Sequence, residues 1–357
     1  MYYFDNFKGF SHAELELSKP FTVLIGANGA GKSNLIEAIE LLSFVAHGTS
    51  LDKITELGRE GQLEVRGGLS SCVQQGQEAF SLGFSMQALS YSVKVTVKPF
   101  PKIVNEKCFV DSKPILTTKL SEILGQYNLK PPFVFEPNPK LMRQYEPIGS
   151  HLLAKNGSNL SAMLFYLQEY AENGSQTLAR LLDWIKQLPN EPYQAFDFDI
   201  THYQNVMFGL KEGNMSVGAN LLSDGTLRSL AILTALETVE SHSFIVIEEF
   251  DNGLHPSRIK MLIKAILDCC QRQSLNVLVT THNPATLNAL SPEQLASVLL
   301  CTGNKVVRFY DLPRCAELLE RGQLGELVTR RVIDQYLAPN FEEERQKEAL
   351  EWLKNLP

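Results

Sequence analysis

Gly26-Ala27-Asn28-Gly29-Ala30-Gly31-Lys32-Ser33 has the chemistry of a phosphate cradle. It fits the pattern of Gly, four free positions, Gly-Lys and Ser or Thr. Glycines let successive backbone amides point inward at phosphate oxygens, and a helix N-terminus adds positive potential. The Lys32 ammonium is expected to reach β and γ phosphates, and the Ser33 hydroxyl to ligate Mg2+. Asn28, Gly29, Ala30, Gly31 and Asn34 complete the expected ATP-binding set.

The pattern needs a strand before it and a helix after it. Phe21-Thr22-Val23-Leu24-Ile25 is an apolar run of strand type, and Asn34 to Leu42 has the periodicity of an amphipathic helix. A bare glycine turn between packed elements is the plain alternative, and this flanking context argues against it.

Three later segments carry further chemistry. Leu222-Ser223-Asp224-Gly225-Thr226-Leu227-Arg228 opens a predicted helix. Phe244-Ile245-Val246-Ile247 is an apolar strand ending in the carboxylates Glu248 and Glu249. Thr280-Thr281-His282-Asn283-Pro284 ends a further strand with a histidine. With Asn6-Phe7-Lys8-Gly9-Phe10 near the start and Asp251-Asn252-Gly253-Leu254-His255 after the carboxylates, the chain resembles the compact RecF/SMC-like branch of ABC-type ATPases. It is similar in particular to prokaryotic ATPases of the OLD-like, AAA_21-type group. The resemblance spans roughly residues 1 to 300.

That resemblance implies an α/β fold: an ABC-ATPase head with an antiparallel β lobe and a P-loop α/β core, a helical insertion and no long coiled coil. It implies Glu249 as general base, Glu248 as the carboxylate that holds magnesium, and His282 as the histidine that contacts the γ-phosphate. Glu248 stands where such ATPases usually carry aspartate, one methylene shorter. Ser223 and Gly225 are expected to cap the nucleotide of a second copy, which makes a homodimer with ATP between the subunits. Asp224 and His255 depart from the transporter pattern and argue against a transport subunit. Lys8 is a candidate for a position near the base or ribose, and Arg228 for bracing its helix or reaching across the dimer. Gln74, Gln75 and Gln77 are candidates for a further magnesium contact.

Composition bounds the rest. The 357 residues carry a net charge of −7, so any DNA contact must use a local basic patch. Lys94, Lys98, Lys102 and Lys107 could form one, or could be ordinary outward-facing strand positions. The six cysteines make no CxxC pair and read as buried thiols. No run approaches membrane-spanning length, and a cytoplasmic protein is expected. Residues 1–110 are expected to form an N-terminal ATPase lobe, 111–215 a mixed insertion, 216–310 a C-terminal ATPase lobe and 311–357 a helical tail. Within the insertion, Ser175 is the expected cap of a helix carrying Leu178, Leu181, Leu182, Ile185 and Leu188 on one face. A polar helix is expected near Glu342 to Leu353.

A second covalent chemistry is not legible. Asp197-Phe198-Asp199 has the spelling of a nuclease metal pair but lies ahead of Leu222 to Arg228, the signature segment of the resemblance, and so inside the ATPase. The resemblance therefore implies an ATPase that regulates a separately encoded protein effector, a nuclease or toxin, in bacterial anti-phage defence. The alternative is a RecF-like repair ATPase that binds DNA directly.

Overall fold

The computed structural model describes residues 1–17, 19–59, 63, 65–189, 191–303, 305–330 and 332–336. The chain opens with β1 (Tyr2–Phe7), β2 (Phe10–Leu15) and β3 (Phe21–Ile25), followed by α1 (Lys32–Ala46) and α2 (Leu51–Arg59). Strands β4 (Ala79–Met86), β5 (Leu89–Thr96), β6 (Lys102–Val110) and β7 (Lys113–Ile115) form a meander. Then come α3 (Leu120–Gln126), β8 (Phe133–Phe135), β9 (Glu146–Pro147), α4 (Leu160–Glu169) and α5 (Gly174–Gln187). A hairpin region follows with β10 (Ala195–Ile200), β11 (Asn205–Glu212) and β12 (Met215–Gly218). The α/β portion comprises α6 (Asp224–Thr238), β13 (Phe244–Ile247), α7 (Pro256–Gln273), β14 (Asn276–Thr281), α8 (Pro284–Ala289), β15 (Val298–Thr302) and β16 (Lys305–Arg308). Short helices lead on to Tyr336.

Three sheets result. The first runs β2-β1-β4-β5-β6-β7 and is antiparallel throughout. The second, the core sheet, runs β16-β15-β3-β14-β13-β8, with only β16 antiparallel. The third joins β10, β11 and β12, with β9 also on β11.

The core sheet is covered on both faces, which explains why its strands read as unbroken apolar runs. Leu24, Val246, Leu278 and Leu299 pack with Leu35, Ile36 and Ile39 of α1 and with Phe4, Phe80 and Phe84 of the first sheet. Val23, Ile247, Val279 and Leu300 pack on the other side with Leu230 and Leu233 of α6 and Ile259 and Ile263 of α7. The register lines Val23, Val279 and Ile247 across three neighbouring strands. Their carboxyl ends therefore finish side by side, at the edge where open α/β sheets bind ligands.

Two local expectations change. Helix α5 starts earlier than expected: its N-cap is Asn173, and Ser175 lies inside the helix. The cause is tertiary. A Cβ on Gly174 would stand 1.6 Å from the Leu167 carbonyl oxygen, so α4 and α5 meet through a residue without a side chain. The first hundred residues hold a second helix, α2, beyond the single one expected. The helix expected at Glu342 to Leu353 lies outside the described residues.

Candidate active site

The loop from Gly26 to Ser33 joins the end of β3 to the start of α1. Its shape requires glycine in two places. Gly31 has φ 101°, and a Cβ there would meet the Phe10 ring at 2.6 Å. A Cβ on Gly26 would meet the Cys301 carbonyl oxygen at 2.5 Å. Phe10 on β2 and Cys301 on β15 thus form the walls against which the loop is pressed. The Cys301 thiol donates to the Ala30 carbonyl at 3.0 Å, and the Ala30 side chain is buried.

A cavity of about 240 Å³ opens above the loop, lined by Asn28, Gly29, Gly31, Lys32, Ser33, Asn34, Arg66, Glu248, Glu249 and Thr280. The loop residues and the two carboxylates, 215 positions apart for Ser33 and Glu248, meet here. The Ser33 hydroxyl donates to Glu248 Oε2 at 2.9 Å. Burial raises the Glu248 carboxyl above its ordinary range, and the Ser33 hydrogen bond opposes that shift. Lys32 donates to the Gly26 carbonyl at 2.7 Å and the Ala27 carbonyl at 3.1 Å. Burial lowers its ammonium pKa, opposed by Cys301, Glu249 and Glu248. A buried cation in a glycine-shaped loop at the start of a helix is suited to a polyanionic ligand. A hydroxyl and a carboxylate converging beside it are the hard oxygen donors that magnesium takes with phosphates.

Glu249 sits in a left-handed backbone conformation, φ 44°, which is uncommon for a side chain of this type. Its N–H donates to Thr280 Oγ1 at 2.9 Å, and its carbonyl accepts from Arg228 Nη1 at 3.4 Å. Its carboxylate lies 3.9 Å from His282 Nδ1 and accepts from Asn252 Nδ2 at 3.3 Å. His282 follows β14 and is exposed, at the rim of the cavity rather than in its lining. Asp251, 2% exposed, accepts from Thr281 at 2.6 Å and from Thr286, and so locks the loop after β13 to the turn carrying His282.

Ser223 and Gly225 do not line this cavity. Ser223 is the exposed N-cap of α6, and its Oγ accepts from the Thr226 N–H at 3.0 Å. Thr226 Oγ1 donates to buried Glu191 at 2.6 Å, and Glu191 pairs with Arg258 of α7. His255 caps α7 through Nδ1, which accepts from the Ser257 N–H at 3.3 Å. Arg228 is on the same helix as Ser223 and contacts the Glu249 turn of its own chain, which is the bracing alternative.

Other candidates go elsewhere. Lys8 Nζ donates to Glu37 of α1 at 2.5 Å and does not reach the cavity. Gln74, Gln75 and Gln77 do not line it either. Lys94, Lys102 and Lys107 share the outer face of the first sheet, paired in register with Asn105, Thr96 and Ser92. Asp197 is held by Ser216 and Lys211, and Asp199 by Tyr145. No cluster of three or more metal-ligating side chains occurs among the described residues. All six cysteines are buried free thiols, and no helix among the described residues is long and apolar enough to cross a membrane.

Sequence reasoning missed Arg66. It lines the cavity and reaches Glu37 at 3.3 Å and Asn34 at 3.4 Å from a turn whose glycines have φ 80° and 73°. The Arg-Gly-Gly spelling was its only signal. An apolar cavity of about 170 Å³ between Tyr2, Leu42, Phe84 and Phe244 lies at the opposite end of the core sheet and shares no residue with this site.

The chain is similar to several known proteins. A family model described as "AAA domain, putative AbiEii toxin, Type IV TA system" matches residues 21–288. An ATP/GTP phosphatase of Helicobacter pylori is 24% identical over 319 residues, covering 80% of this chain and 85% of that protein. A DNA replication and repair protein RecF of Picosynechococcus is 40% identical over 72 residues, which span 20% of this chain and only 18% of RecF. In structure, the chain is similar to an Smc head solved with the C-winged helix domain of ScpA. The TM-score is 0.56 at 14% identity, covering 86% of this chain and 95% of that one. The family match covers well over half of the chain, and the chain therefore belongs to the AAA_21 family, as an ABC-type ATPase of the RecF/SMC-like kind.

Proposed function

We propose that the chain binds ATP with magnesium, hydrolyses it, and uses the bound triphosphate to join two copies that control a separately encoded protein effector. The observation that carries this is the convergence of Lys32, Ser33, Glu248 and Glu249 in one cavity, while Ser223 stands exposed outside it.

Within one chain the roles follow from position. The loop amides and the Lys32 ammonium hold the phosphates. Ser33 and Glu248 would hold magnesium, which when bound neutralises charge on the β and γ oxygens. Arg66 adds a second cation at the open side. Glu249 orients and deprotonates the attacking water, and its fixed N–H keeps the carboxylate aimed while His282 stands beside it. Ser223, Gly225 and the first amides of α6 form an anion-binding helix start with no phosphate of their own chain to serve. A two-fold pairing that lays this helix over the partner's γ-phosphate uses it and completes both sites.

The family's description names a putative toxin of a type IV toxin–antitoxin system. The separately encoded effector, of nuclease or toxin type in anti-phage defence, follows from the resemblance of the sequence to stand-alone ATPases of this kind. Two experiments test the reading. Glu249→Gln should bind ATP, hydrolyse it about 100-fold slower or worse, and sediment as a dimer only with ATP and magnesium. An ATP-bound variant that stays monomeric at all concentrations would refute the shared site. Co-expression with the adjacent genes and native mass spectrometry should recover a protein partner with the ATP-locked form. Its absence, with ATP-dependent duplex DNA binding instead, would favour the repair alternative.

A further inference from the structure

We propose that Arg143, which belongs to no nucleotide motif, is the positioning residue that shapes the signature loop for capping. The proposal rests on the reading above, in which Ser223 closes the site of a second copy.

Strand β12 ends at Gly218 and α6 begins at Asp224, so the loop between them has left one ladder and not yet entered the other. Arg143 fills the gap. Its Nη1 donates to the carbonyls of Ala219 at 3.4 Å, Asn220 at 3.1 Å and Leu222 at 2.7 Å, and its Nη2 pairs with the Asp224 carboxylate. One planar fork therefore gathers acceptors from both sides of Ser223, a geometry lysine cannot reproduce. The orientation has a consequence. In a trans peptide the C=O and N–H point in opposite directions. Drawing the Leu222 carbonyl inward to Arg143 turns the Ser223 N–H outward, on the side away from the guanidinium. The same anchor thus aims a backbone donor where the helix start already directs positive potential.

Arg143 is itself well fixed. Its neighbour Met142 is fully buried in the larger core cluster. The segment leading to it leaves β8, whose Phe135 carbonyl accepts from the Glu248 N–H at 2.9 Å. Glu136 and Asn138 then donate to the Lys155 and Asn156 carbonyls at 2.8 Å and 2.9 Å. Pro137 and Pro139 restrict the backbone between these bonds. The signature loop is thereby indexed to the strand edge that carries the chain's own carboxylates.

The test uses the full chain in the Glu249→Gln background for assembly and the native background for turnover. Arg143→Ala should leave the affinity of a single chain for a fluorescent ATP analogue within about twofold, because the P-loop is untouched. It should raise the protein concentration needed for ATP-driven dimerisation about tenfold or more and lower kcat correspondingly, since several charge-assisted bonds are lost. Arg143→Lys should recover part of both, and Asp224→Asn, which takes the charge from one contact of the four and keeps its acceptor oxygen, should fall between Arg143→Ala and the parent. An Arg143→Ala protein that dimerises and turns over like the parent overturns the proposal. So does one that loses nucleotide affinity and thermal stability in step with assembly, unless Arg143→Lys and Asp224→Asn, both folded, still show the selective loss. Ser223→Arg serves as the reference. If it too assembles normally with ATP, the capping reading itself has failed; if it blocks assembly while Arg143→Ala does not, only the role of Arg143 has failed.

Discussion

The Glu249 N–H donates to Thr280 Oγ1 at 2.9 Å and ties the carboxylate turn after β13 to the end of β14. Thr280 is 1% exposed, so the bond is sheltered from water. Thr280→Val keeps the shape and leaves the Glu249 N–H unpaired. Turnover should fall about tenfold as the carboxylate loses its aim, with nucleotide affinity within about twofold. Steady-state hydrolysis beside a nucleotide titration checks this; equal losses in both would mean that the bond only supports the fold.

Gly31→Ala should abolish nucleotide binding. The new methyl group would meet the Phe10 ring at 2.6 Å in a backbone with φ 101°. The conformational cost alone is about 1–3 kcal/mol. Trimming Phe10 as well should restore space but not binding, because the backbone demand remains. Titration with a fluorescent ATP analogue distinguishes the two, and recovery in the double variant would show that the clash was the whole effect.

Asp251 gives a pH prediction. Burial holds its carboxyl above the ordinary value of 3.8, offset by the hydrogen bonds from Thr281 and Thr286. The folded chain therefore binds this proton more tightly than the unfolded chain. The stability it contributes is fully present below 3.8 and is lost as pH rises through the folded value. Asp251→Asn removes that dependence. The difference in Tm between variant and parent should widen in the variant's favour by a few degrees between about pH 4 and about pH 7. A constant difference across that range would mean that Asp251 does not titrate there.

The strand ends were legible because each pairs an unbroken apolar run with a polar terminus of distinct chemistry: Ile25 before the glycine loop, Ile247 before Glu248, Thr281 before His282. Such runs specify a doubly covered sheet, and parallel strands bring their ends to one edge. Arg143 and Glu191 were not legible. They lie in proline-broken stretches without periodicity, and they bind the signature segment from 79 and 35 positions away. Strand β8 has three residues between loops, too short to leave a pattern. The start of α5 was displaced from Ser175 to Asn173 by the approach of the Leu167 carbonyl to Gly174, a contact that no local propensity encodes.

The left-handed turn at Glu249 sets durability against turnover. A side chain held there costs about 1–2 kcal/mol that glycine avoids, less the roughly 0.5–1 kcal/mol that glycine's looser unfolded chain takes back. Glu249→Gly should therefore melt no lower than the parent, by calorimetry, while hydrolysing nothing. On the proposed assignment of Glu249 as general base, a drift toward sturdier sequences at this position would erase the enzyme, and the need for a carboxylate is what holds a side chain in this turn.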